Sequence, residues 1–65
     1  MAIGDNIRME RLKQGISTVE LGEAVGVSHV MILKYEDGQS IPNAVTACKI
    51  AKVLHTTVEK LVKGG

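Results

Sequence analysis

The sequence predicts an all-α domain of five short helices. Three observations lead there. Apolar residues recur at spacings of three and four within short blocks, and no alternating pattern runs beyond a few residues. Ser17, Ser28, Asn43 and Thr57, all residue types that cap helices, open four of the blocks. Gly15, Gly26 and Gly38 close the first three, and His55 stands in the same position after the fourth.

The first block runs from Ile3 to Gln14. Ile3, Ile7 and Leu12 are read as its apolar stripe. Asp5 near its start and Lys13 near its end suit the helix dipole. The second block opens on Ser17, which forms a capping-box pattern with Glu20, and Ile16 can staple the entry. Leu21, Ala24 and Val25 are expected to face inward. Gly26 ends the block, where few other residues take a positive φ. The third opens on Val27 and Ser28, turns Ile32 and Tyr35 inward with Met31 partly so, and stops at Asp37-Gly38. A loop from Gln39 to Pro42 follows. The fourth runs from Ala44 to Leu54 behind Asn43, with Ala47, Ile50, Ala51 and Leu54 in phase. Thr57 then caps a last short helix carrying Val58, Leu61 and Val62.

Sixty-five residues make one small domain, read here as residues 1–65. A chain this short buries only about 60% of its unfolded surface, so modest stability is expected. The single cysteine, Cys48, excludes an intrachain disulfide and is expected to be a small buried side chain in a reducing compartment. His29 and His55 lie far apart without partner cysteines, so no metal site is expected. No apolar run is long enough to span a membrane. Asp5 interrupts the N-terminal stretch, which does not read as a secretory signal. The expected compartment is the cytoplasm.

The span from Ser17 to Glu36 carries the functional information. It holds two short helices separated by one glycine, and helices joined that tightly cross at a steep angle. That is helix-turn-helix geometry, whose second helix fits the DNA major groove. With Ile32 and Tyr35 turned inward, His29, Val30, Leu33 and Lys34 share the opposite face, and Ser28 lies at its tip. The helix starts at Thr18 and Asn43 offer backbone N–H groups and positive dipole ends to phosphate. Net charge is only +1, low for a chain whose partner is a polyanion, so any such surface rests on placement of charge.

At this point the chain resembles the Cro/repressor-type helix-turn-helix family, also called the xenobiotic-response-element family. The resemblance rests on Ile7 and Arg11; on Gly15-Ile16-Ser17 and Glu20-Leu21; and on Gly26-Val27-Ser28, Ile32, Lys34-Tyr35-Glu36 and Gly38. It continues at Pro42, Lys49-Ile50-Ala51-Lys52 and Leu54. It implies a compact, five-helix, lambda-repressor-like DNA-binding domain. It further implies sequence-specific binding of double-stranded DNA as a homodimer on a pseudo-palindromic operator. By position, Ser28, His29, Val30, Leu33 and Lys34 become the base-contact candidates. Thr18, Arg8, Gln39, Ser40 and Asn43 become the phosphate-contact candidates. Arg11 and Glu36 match a partly buried structural ion pair. Val58, Leu61 and Val62 are the dimer candidates.

Three departures from the family pattern stand out. Thr18 occupies a position where glutamine is frequent and reaches less far. Gly22 occupies a position where alanine is usual and a small residue is needed because the two helices approach closely; glycine meets that need at a cost of about 1 kcal/mol of helix propensity. Val19, Val30 and Leu33 are apolar where polar residues are common. Such side chains can read thymine methyl groups or form a protein contact.

No nucleophile–base pair, phosphate loop or metal-ligand set is present in the sequence, so neither an enzyme nor a cofactor or small-molecule substrate is expected. The leading expectation is a transcriptional regulator, a repressor acting by operator occupancy. The alternative is a protein-interaction module, antitoxin-like or regulator-binding, with weak or lost DNA affinity.

Overall fold

The computed structural model describes residues 2–64. Its helices are α1 (Ile3–Gln14), α2 (Thr18–Val25), α3 (His29–Asp37), α4 (Ala44–Val53) and α5 (Val58–Lys63), with no strand among the described residues. No helix is long and apolar enough to cross a membrane.

Local chemistry sets the helix starts. Ser17 Oγ accepts the Glu20 N–H at 3.0 Å, while the Ser17 N–H donates to Glu20 Oε1 at 2.9 Å, completing the capping box. Ser28 Oγ accepts from the Met31 N–H, Asn43 Oδ1 from the Thr46 N–H, and Thr57 Oγ1 from the Lys60 N–H. Each such cap contributes about 1 kcal/mol. The stops depend on left-handed backbone. His55 is the one non-glycine among the described residues with positive φ, at 57°, and it ends α4 as a glycine would. Leu54 is the cap of α4 rather than its last residue.

Ile7, Leu21, Ile32, Ile50, Leu54 and Leu61 are fully buried and form the centre of one core. α3 packs against both α1 and α2. α5 packs on α1, and α4 packs on α2 and α5. Ile16 and Val27, which precede the caps of α2 and α3, lie against this core and fix where each helix enters.

Three inward assignments are corrected. Leu12 is 59% exposed. The buried stripe of α1 instead runs through Ile3, Asn6, Ile7 and Arg11, whereas Leu12 sits about 140° around the helix from Ile7. Ala24 is exposed because α2 turns Leu21, Gly22 and Val25 inward. Cys48 is exposed because it sits about 100° from Ala47, on the flank of the face that α4 buries.

Two glycines permit close backbone contact. A Cβ on Gly22 would lie 2.6 Å from the Val27 carbonyl oxygen, and one on Gly4 would strike the carbonyl oxygen of Tyr35. Gly22 therefore sets how near α2 comes to the start of α3. On propensity alone, Gly22→Ala adds about 1 kcal/mol of helix stability. The collision is with backbone, so overpacking of about 1–3 kcal/mol outweighs that gain. Gly22→Ala is expected to unfold at lower urea concentration than the parent. A higher midpoint would show that α3 gives way freely.

Candidate nucleic-acid interface

The turn between α2 and α3 is closed by one carbonyl. Gly22 O accepts from the N–H groups of Gly26 and Val27, at 2.8 and 2.9 Å. Gly26, at φ 82°, reverses the chain, and Ser28 starts α3 two residues later. A side chain at Gly26 would meet open space, so the backbone conformation alone selects glycine there.

Ile32 and Tyr35 anchor α3 in the core, with Met31 partly buried beside them. The same rotation leaves Ser28, His29, Val30, Leu33 and Lys34 exposed. His29 and Leu33 are four residues apart, as are Val30 and Lys34, so they form two adjacent rows. The surface is mixed: a hydroxyl, an imidazole and an ammonium stand beside Val30 and Leu33, 49% and 47% exposed. Val19 of α2 is exposed as well. Hydroxyl, imidazole and ammonium groups can hydrogen-bond base edges, and valine and leucine can pack on methyl groups.

The flanking positions differ in what they have free. Thr18 is half-buried at the first position of α2. The capping box engages the N–H groups of Ser17 and Glu20, so those of Thr18 and Val19 lack an intrahelical acceptor and face outward. The Asn43 side chain is committed to capping Thr46, so α4 offers its Ala44 and Val45 N–H groups instead. Gln39 is exposed, with Nε2 donating to Asp37 Oδ2 at 3.4 Å, and Ser40 is half-buried. The N–H groups of Gln39 and Ser40 fold back onto Lys34 O, which ties this loop to the end of α3. Arg8 is exposed on α1, one turn before Arg11.

Arg11 and Glu36 meet across α1 and α3. Arg11 Nε donates to Glu36 Oε2 at 2.7 Å and Nη2 to Oε1 at 3.2 Å, while Nη1 donates to Ile16 O at 3.0 Å. One guanidinium thus fixes α1, the entry to α2 and the end of α3. Among the dimer candidates, Val58 is half-buried and Val62 exposed, but Leu61 is 0% exposed and reaches no partner. Sequence reading passed over Asn6, a buried amide in α1 whose Nδ2 donates to Leu61 O and ties α1 to α5. Its signal was the phase it shares with Ile3 and Ile7.

A short helix, a one-glycine turn and a second helix presenting an unpaired side-chain face define a helix-turn-helix domain. The Helix-turn-helix family model matches residues 7–61, and the chain belongs to that family. It is 36% identical over 62 residues to Repressor protein C2 of Salmonella phage P22, covering 95% of this chain and 29% of that protein. An HTH-type transcriptional regulator of Sinorhizobium medicae (strain WSM419) is 34% identical over 56 residues, covering 86% of this chain and 40% of that one. The chain therefore spans well under half the length of these curated relatives.

Among solved structures, the fold matches the P22 c2 repressor crystallised with synthetic operator 9T in the presence of Tl+. The TM-score is 0.95 at 34% identity, over 100% of this chain and 98% of that one. It also matches the solution structure of the DNA-binding domain of the P22 c2 repressor, with a TM-score of 0.94 at 34% identity, over 98% of this chain and 84% of that one.

Proposed function

We propose that this domain binds double-stranded DNA sequence-specifically and represses transcription by occupying an operator and blocking RNA polymerase. The observation that carries the reading is the exposed face of α3, anchored in the core by the buried Ile32 and Tyr35. The P22 relative crystallised with an operator supports it. Lys34 donates to guanine O6 and N7, Ser28 and His29 bond base edges, and Val30 and Leu33 pack on thymine methyl groups. The amide groups starting α2 and α4, with Thr18, Arg8, Gln39 and Ser40, hold phosphates. The domain measures 25 × 23 × 19 Å, less than the roughly 34 Å between half-sites one helical turn apart. A pseudo-palindromic operator therefore takes two copies, with Val58 and Val62 as the dimer candidates open to contact. Such a regulator works in the cytoplasm, without cofactor or catalysis.

Salt titration of duplex binding tests this reading. Affinity is expected to fall with a log–log slope of about −0.9 per phosphate engaged. Six engaged phosphates imply a loss of about a thousandfold between 50 and 200 mM salt. The second reading is a protein-interaction module, favoured by the exposed Val19, Val30 and Leu33. A duplex that fails to bind even at low salt removes the first reading and leaves the second.

A further inference from the structure

Five side chains face outward from the cap of α3 through its second turn: Ser28, His29, Val30, Leu33 and Lys34. None is a carboxylate or a carboxamide. Reading adenine bidentately takes Asn or Gln, and accepting from cytosine N4 takes Asp or Glu. The two carboxylates that follow are committed elsewhere. Glu36 pairs with Arg11, and Asp37, at the last position of α3, accepts from Gln39 Nε2. Base edges are met by the N-terminal part of a recognition helix, and there Val30 and Leu33 each stand about half exposed. Three residues apart on one helix, their Cβ atoms are about 5–6 Å from each other. That span covers up to about two base steps at roughly 3.4 Å each.

We propose that Val30 and Leu33 read a pyrimidine by its C5 methyl group alone, so that 5-methylcytosine is accepted where thymine is and unmethylated cytosine is not. The inference rests on the DNA-binding reading above and deepens it by naming the class of base, a C5-methylated pyrimidine. Thymine and 5-methylcytosine carry the same methyl at the same place in the major groove. They differ at C4, where thymine has a carbonyl acceptor and 5-methylcytosine an amino donor. A hydrogen-bonding side chain separates those two groups. Valine and leucine bond neither, and covering the methyl removes the same apolar area from water in either pair. Cytosine methylation inside a half-site is then a switch on affinity, acting through Val30 and Leu33 rather than through the hydrogen-bonding side chains beside them.

The test uses an operator selected from a random duplex pool and resynthesised with one base changed at a time. Uracil in place of thymine removes the methyl and keeps the pairing. 5-Methylcytosine in place of cytosine adds the methyl and keeps the pairing. At one or two positions of each half-site, uracil is expected to weaken binding about fourfold per methyl lost. With C·G built into those same positions, C5 methylation is expected to strengthen binding by the same factor of about four. Both ratios are expected to fall to about one in the Val30→Ala, Leu33→Ala double variant, changed only at exposed positions. Three results overturn the inference and leave DNA binding intact: indifference to uracil at every position, a methyl effect confined to thymine, or ratios that persist in the double variant. A chain that binds no duplex overturns both readings.

Discussion

Glu36→Ala is expected to destabilise the domain by about 3–5 kcal/mol, which approaches its whole stability. The Arg11 and Glu36 side chains are only 12% and 6% exposed, so removing the carboxylate strands a guanidinium in a largely buried site. Arg11 would keep its bond to Ile16 O, but that neutral carbonyl would not balance its charge. The effect comes from breaking the pair, not from its net worth, because a buried ion pair contributes little over apolar residues of similar volume. A variant combining Arg11→Met with Glu36→Leu is therefore expected to regain most of the loss. Urea denaturation followed by circular dichroism measures all three proteins. A double variant as unstable as Glu36→Ala would mean that packing volume, and not the stranded charge, governs this site.

The other large effect falls on binding. Removing His29 and Lys34 together is expected to weaken the cognate operator by the sum of two base contacts, each about 1–3 kcal/mol. That is a loss between about thirtyfold and more than ten-thousandfold. Both side chains are exposed and outside the core, so the melting temperature is expected to stay within a degree or two of the parent. Affinity for an unrelated duplex is expected to change far less. A loss of equal size on both duplexes would reassign the two residues to phosphate. No loss on either would remove α3 as the reading element. The operator for this measurement comes from selecting bound sites out of a random duplex pool, which also reports half-site spacing.

Local chemistry made most of the fold legible. Ser17, Ser28, Asn43 and Thr57 each bond a backbone N–H three residues ahead, so the starts of α2 to α5 are written in single residues. Gly15, Gly26 and Gly38 mark stops for the same local reason, left-handed backbone. The α3 face was readable too, since placing Ile32 and Tyr35 inward leaves only one side for His29, Val30, Leu33 and Lys34.

Other features depend on which way each helix faces its neighbours. Leu12, Ala24 and Cys48 read as inward, yet α1 and α2 rotate to bury Asn6 and Gly22 instead, and α4 buries Ala47 as expected while leaving Cys48 on the flank. Asn6 is buried because α5 brings the Leu61 carbonyl within reach of its amide. Leu61 drops out of the dimer candidates because the core consumes it. The resemblance already called for a small residue at Gly22; the structure shows that the Val27 carbonyl occupies the space a Cβ would take.

The sequence by itself determined that five helices form, where they begin and end, and which residues of α3 remain for a partner. It could do so because caps, left-handed stops and a 3.6-residue period act within a few residues of chain. Only the tertiary structure decided the helix rotations, the bond from Asn6 to Leu61 O, and the backbone atoms at the start of α3 that the Cβ of any larger residue at Gly22 would strike. Those arise where segments distant in sequence meet, and the geometry of such meetings is set by the whole core at once.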